Sequence, residues 1–431
     1  MAEATTQQKP KYGKPDTYII GIYITLLLVS LVETYSASSR EISTSLLAPM
    51  ISQLLFLGLS LAITFIFARM NYTKFTYWGK VFLVVSLGFM VYAWLFGENI
   101  NGAQRAVRLP GFTVQPAELA KLSIVFWLSF IMAKNIDRKL GRIKDRGMWF
   151  SLLSVAIFGL FLVMQGMTNA LLFGCISLAL FVIGKINYKK FMLAVSVLLL
   201  VLLALAGFKS CVEEHALDDL EKTEQTDDTE EAGPPRKKTW SARLERFAQR
   251  WDPNTPLYLE PISSENDQEM FSHMAQANGG VFGVLPGNSR ECSRLPLAFS
   301  DYVFSIVVED MGLAGGLFLI GLYFVLIIRA GAIARRCRRA YPAFLVMGMA
   351  VMVVLQAFFH IAINTGVFPV SGQPLPLISK GGTSIAVVSV AFGVMLSISR
   401  TATQKATKKD IKREDEALPE SMRVANPTMT Q

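Results

Sequence analysis

Ten apolar runs set the terms for this chain: 17–37, 48–69, 78–97, 117–133, 149–165, 167–184, 191–208, 300–328, 342–366 and 382–400. Crossing a hydrocarbon layer of ~30 Å takes about 20 apolar residues, so each run is read as a membrane-spanning helix. Only 17% of the 431 residues are charged while 52% are hydrophobic, against roughly 25% charge in soluble domains. A soluble enzyme and a disordered chain are both excluded. The fold class expected is an all-α integral membrane protein of about ten transmembrane helices, with one long extracytoplasmic loop and a re-entrant Pro/Gly-rich outer loop.

Charge orients the helices. The segments joining alternate runs carry 26 Lys and Arg on one side, and the short loops of the other side carry four, Arg40, Arg105, Arg108 and Lys380. Positive residues are retained in the cytoplasm. The sequence therefore divides into a cytoplasmic tail at 1–16, helices one to seven at 17–208, an extracytoplasmic loop at 209–299, helices eight to ten at 300–400 and a cytoplasmic tail at 401–431. The first run follows a polar head without a small-residue cleavage site and reads as an uncleaved anchor. The net charge of +9 is an orientation signal, and nucleic-acid binding is not needed to explain it. Ten acids and one lysine between Glu213 and Glu231 form a solvated strip. The segment 239–253, with Arg243, Arg246 and Arg250 among Trp240, Phe247 and Trp251, suits an amphipathic helix on the membrane surface. Of the four cysteines, Cys211 and Cys292 bracket the long loop and would pair only if that side is oxidising. No Cys/His metal cluster is evident.

Polar groups at span ends are costly and mark candidate sites. Three clusters fall on the outer face. Residues 101–121 combine a Gly/Pro-rich loop, Arg105 and Arg108, then Glu118 and Lys121 one helical turn apart, a spacing that lets the last two pair. The guanidinium groups suit phosphate oxygens. Residues 278–310 hold a glycine-rich turn ending at Ser289, then Arg290 and Arg294, then Asp301 at the start of span eight. Backbone amides of such a turn can cradle phosphate. Asp301, flanked by aromatic residues at the edge of an apolar run, is either a general base or a helix N-cap. Residues 363–384 are rich in Pro and Gly, with Asn364, Lys380, Thr383 and Ser384 as polar groups. Non-helical backbone at membrane depth survives only inside protein or along a cavity, so this segment reads as a re-entrant wall. His360, inside span nine, reads as an interior hydrogen bonder. Cations gathered around one carboxylate point to group transfer from a lipid-linked pyrophosphate. A transporter of such a lipid, and a non-catalytic scaffold, use the same features.

These clusters resemble the SEDS (FtsW/RodA) family. Its first motif matches Asn101, Gly102, Ala103, Arg105, Pro110, Gly111, Gln115, Pro116, Glu118 and Lys121. The second matches Gly283, Gly287, Ser289, Leu295, Pro296, Ser300 and Asp301, and the third Asn364, Gly366, Pro369, Gly372, Leu375, Pro376, Ser379, Gly381, Gly382, Thr383 and Ser384. The stretch 286–310 is more similar to the cell-division branch than to the elongation branch. The resemblance implies a peptidoglycan glycosyltransferase that polymerises lipid II into a growing glycan strand, with Asp301 as the catalytic residue. It also implies a class B penicillin-binding protein (a transpeptidase) and other divisome membrane proteins as partners, and a divalent cation, magnesium or manganese, as a possible helper. The chain departs from the family at Ala106, Ala117 and Lys380, and where an acid-containing motif gives way to Gln165, Gly166, Met167, Thr168 and Asn169.

Overall fold

The computed structural model describes residues 13–39, 47–96, 98–100, 103–109, 112–137, 142–186, 261–263, 266–295, 298–403 and 416–426, with a few isolated positions between. Helices α1 (Thr17–Ser39), α2 (Leu47–Arg69) and α3 (Phe75–Phe96) come first. A three-stranded antiparallel sheet follows: β1 (Glu98–Ile100), β2 (Ala103–Leu109) and β3 (Phe112–Val114). Then come α4 (Pro116–Lys134), α5 (Asp145–Gln165) and α6 (Met167–Ile183). Beyond the long loop lie α7 (Asp267–Gly279), α8 (Val303–Arg336), α9 (Ala340–Asn364) and α10 (Gly382–Ala402). Among the described residues eight helices are long and apolar enough to cross a membrane, and α6 is a shorter apolar one. Nearly all of the seventh expected span, 191–208, and of the 239–253 segment lies outside the described residues, as do the whole acidic strip and Cys211.

Apolar side chains lie both inside the bundle and on its outer face. Helices α4, α9 and α10 are buried on nearly all sides. Helices α2, α3 and α8 turn large apolar side chains outward, among them Leu55, Val84, Leu317 and Phe318. Small and hydroxylated residues bring the inner helices together, as is usual where lipid gives no hydrophobic drive to helix pairing. The Ser60 and Ser389 hydroxyls meet at 2.6 Å, and Ser60 also meets Tyr23 Oη at 2.6 Å, joining α1, α2 and α10. Gly393 lets α10 press onto α2, since a Cβ there would lie 2.6 Å from that of Phe67.

Helix α8 is not one continuous span. Gly312, at φ 70°, breaks it into 303–311 and 313–336. The break forfeits the bonds that Leu313 and Ala314 N–H would make to the carbonyls of Glu309 and Asp310. A turn at 280–285 replaces both from outside. Its Val284 and Leu285 amides donate to those two carbonyls (2.9 Å each), and its Gly280 and Val281 carbonyls accept from Leu313 (2.9 Å) and Ala314 (3.1 Å). The two backbones approach so closely that a Cβ on Gly283 or Gly312 would sit 2.2 Å from a carbonyl oxygen of the other.

The opposite end of the bundle is closed. Asp16 caps α1 by accepting from the Tyr18 and Ile19 amides, and it pairs with Arg329 of α8. Residues 416–426 lie across the helix ends rather than extending as a tail, burying Leu418, Met422 and Val424. Asn426 donates to the carbonyls of Ala334 and Cys337, both at 2.8 Å, so the orphan acceptors that end α8 find partners.

The helical membrane fold is as expected, and the small sheet is an addition to it where the start of the first cluster was read as a loop. Two-residue links, Asn101-Gly102 and Pro110-Gly111, join its strands. Helix α7 was likewise not anticipated.

Candidate active site

The three clusters converge on the segment between α9 and α10. Residues 373–379 are non-helical and all buried. Such a segment needs an acceptor or donor for every backbone group, and its carbonyls are met one by one by side chains. Gln373 O accepts from His360 Nδ1 (2.6 Å), Pro374 O from Gln356 Nε2 (3.2 Å), Pro376 O from Tyr323 Oη (2.9 Å) and Ile378 O from Ser30 Oγ (3.2 Å). The donors belong to α9, α8 and α1. The re-entrant wall is thus built into the bundle.

Cluster one underpins this wall. Pro116 opens α4, where its missing N–H costs nothing. One turn on, Lys121 Nζ donates to Glu118 Oε1 at 2.6 Å, and both side chains are buried. Glu118 Oε2 lies 3.3 Å from Gln356 Nε2, which also reaches Ser384 Oγ at 3.4 Å. Gln115 N donates to Thr383 Oγ1 (3.4 Å). Glu118, Lys121 and Ser384 therefore act inside the wall rather than on its surface. Arg105 and Arg108 lie on β2, and their side chains fall outside the described residues.

Asp301 occupies the turn that leads into α8, and that turn is strapped to the wall. Ser379 Oγ donates to Ser300 O (2.6 Å), Lys380 N donates to Phe299 O (3.0 Å), and Lys380 Nζ lies 5.0 Å from the centre of the Phe299 ring. Ser300 Oγ donates to Asp301 Oδ1 at 3.0 Å. The carboxylate abuts Gly372, where an added Cβ would lie 2.8 Å from Oδ2. Helix α8 starts after Tyr302 with no side-chain cap from its own turn. Its first amides go elsewhere: Phe304 N donates to His360 Nε2 (3.4 Å), and Ser305 N donates to Asn364 Oδ1 (3.2 Å). Asn364 Nδ2 also donates to Asp301 O at 3.1 Å. The capping role open to Asp301 is filled by two residues of α9. Asn364 is itself buried, and it orients the turn from behind.

The glycine-rich turn is organised around a different carboxylate. Glu309 is fully buried and accepts from Ser289 Oγ, from Arg290 N (2.9 Å) and from Glu291 N (3.4 Å). The turn's own Val284 and Leu285 amides donate to the carbonyls of Glu309 and Asp310, and its Gly287 amide to Ser36 Oγ. The Arg290 and Glu291 amides just past it serve the Glu309 carboxylate, and Ser289 is buried with them. Arg290 and Arg294 are exposed, Arg294 standing 3.6 Å from Glu291. Sequence reasoning missed Gln356 and Gln373. The polarity of Gln356 inside an apolar span and of Gln373 inside the third cluster was the available signal.

The bundle, its buried non-helical wall and the carboxylate-bearing turn beneath it define a polytopic membrane protein with one polar site at the end of its helices. The model of the family of cell cycle proteins FtsW, RodA and SpoVE matches residues 16–404, and the chain belongs to that family. It is 28% identical over 415 residues to the probable peptidoglycan glycosyltransferase FtsW of Enterococcus hirae, covering 92% of this chain and 95% of that one. It is 27% identical over 402 residues to stage V sporulation protein E of Bacillus subtilis, covering 90% and 98%. The fold is similar to that of a chain from a solved peptidoglycan synthase complex, with a TM-score of 0.62 at 21% identity over 92% of this chain and 100% of that one. It is also similar to rod shape determining protein RodA of Thermus thermophilus, with a TM-score of 0.58 at 21% identity over 91% and 98%.

Proposed function

We propose that this protein is a peptidoglycan glycosyltransferase that polymerises lipid II during cell division, with Asp301 as its general base. The observation that carries this reading is the capping of α8. His360 and Asn364 take the Phe304 and Ser305 amides, so the Asp301 carboxylate is not committed to them and lies along Gly372 at the site. In the reaction, the carboxylate accepts the proton of an acceptor sugar hydroxyl. That oxygen forms its bond to the anomeric carbon of the donor as the bond from this carbon to the pyrophosphate breaks. Undecaprenyl pyrophosphate departs, and the configuration inverts. Arg105, Arg108, Arg290, Arg294 and Lys380 are the cations available to meet the leaving charge. Glu118, Lys121, Ser289, Asn364, Thr383 and Ser384 hold the surrounding backbone. A divalent cation suits a pyrophosphate leaving group. Among the described residues, however, no group of three or more His, Cys, Asp or Glu is arranged to hold one, and no step here runs through it.

The 26-to-four distribution of Lys and Arg supports cytoplasmic termini and an extracytoplasmic Asp301. The similarity to a chain of a complex that coordinates polymerization and crosslinking supports a class B penicillin-binding protein as partner. Other divisome membrane proteins as partners and a septal location are part of this reading, which the likeness to relatives named FtsW supports. The test is Asp301→Asn in full-length protein reconstituted with that transpeptidase and labelled lipid II. Glycan polymerisation falls by about a thousandfold or more while melting temperature is kept, as removal of a base on which the reaction depends requires. Normal polymerisation by this variant rejects the role. Movement of lipid II across vesicles without polymer would indicate a transporter. Full complementation of growth by Asp301→Asn would indicate a scaffold.

A further inference from the structure

The Asp301 carboxylate is only as well placed as the Gly372 backbone beside it, and the residue after Gly372 is held from two directions. Gln373 offers its carbonyl to His360 Nδ1 (2.6 Å) and its side-chain Nε2 to Asn169 Oδ1 (2.9 Å), at the start of α6. His360 is fully buried, and its second nitrogen accepts from Phe304 N, three residues beyond Asp301. Because Nε2 accepts from an amide, the ring proton sits on Nδ1 and the imidazole is neutral. One ring thus fixes the gap between the Gly372 wall and the Asp301 turn. Asn169 braces the wall from the α5–α6 junction, within the stretch 165–169 where the family's acid-containing motif is replaced.

We infer that Asn169, Gln373 and His360 form a neutral positioning relay that sets the Asp301 carboxylate for proton transfer. This rests on the reading of Asp301 as the base. None of the three touches the reacting atoms. They act through Gly372 and through the first turn of α8. The relay carries no charge, being two carboxamides and a neutral imidazole. Small displacements of a catalytic group cost far more in turnover than in binding, because the near-attack geometry is what the scaffold supplies.

The test measures kcat and KM for labelled lipid II with full-length protein and its transpeptidase partner, alongside melting temperature. Asn169→Leu and Gln373→Leu each lower kcat about tenfold with KM within about twofold, and the double variant falls no further than the worse single one. His360→Leu lowers kcat most. His360→Asn recovers only part of that loss, because its carboxamide N–H stands where Nδ1–H stood while nothing replaces Nε2 as the acceptor for Phe304 N. If a leucine variant does not fold, Gln373→Asn, one methylene too short to reach Asn169, gives the same kcat reading. Additive losses, a rise in KM at constant kcat, or unchanged activity per folded molecule each overturn the relay. Asp301→Asn is the shared control. If it stays active, the underlying reading fails; if it is inactive while the relay variants behave as wild type, only the relay fails.

Discussion

Two carboxylates of the α8 region, Asp301 and Glu309, stand near backbone amides and meet opposite fates. Glu309 collects a hydroxyl and two amides from the 289–291 turn and is fully buried. Asp301 precedes the amides of Phe304 and Ser305, which would suit it as a cap, yet these are taken by α9. Chain position makes them alike, and the neighbours decide the difference. An acid whose local amides are supplied to it becomes structure. An acid whose amides are taken by another helix is held instead by its turn, here through the Ser300 hydroxyl and beside Gly372. Glu118 is a third case, satisfied by the Lys121 ammonium instead of by amides.

The largest stability effect is expected where a buried charge loses its partner. Lys121→Met strands Glu118 and destabilises by about 3–5 kcal/mol. Adding Glu118→Gln recovers most of that in a detergent melt, and a double variant as unstable as the single one would break the scheme. Glu309→Ala orphans the Ser289 hydroxyl and two amides, which costs about 2–3 kcal/mol. Its activity per folded molecule falls much less than that of Asp301→Asn. Equal catalytic losses from the two would erase the distinction drawn between them. Ser300→Ala, which removes the 3.0 Å bond to Asp301 Oδ1, sharpens the contrast at the small end. Stability stays within about 1 kcal/mol, and kcat drops about fivefold at most.

Much of this was legible in the sequence, for physical reasons. Span length and apolarity are local properties, so the helices stand within a few residues of the runs read from the chain. Span eight is the exception: read as 300–328, it begins at Val303, breaks at Gly312 and continues to Arg336. Two glycines that must cross each other leave no trace in hydropathy. The sheet was readable in principle, since an Asn-Gly pair between short strands is a strong hairpin signal. The Pro/Gly character of the segment obscured it. Glu118 and Lys121 were legible as a pair because one helical turn separates them. The amides expected as a phosphate cradle at 279–289 are in part taken up by α8, since Val284 and Leu285 donate to the Glu309 and Asp310 carbonyls about twenty-five residues further on. The caps from His360 and Asn364 are tertiary contacts about sixty residues away in sequence, beyond any local pattern.

The wall at 373–379 has a mechanical consequence. Four of its carbonyls answer to side chains rooted in α1, α8 and α9. Thermal motion that leaves those bonds intact carries the segment and the three helices as one rigid body. A tilt of α9 reaches the residue next to Gly372, and tilts of α8 and α1 reach Pro376 and Ile378 in the same segment, so the acid beneath it works against an anvil rather than a hinge.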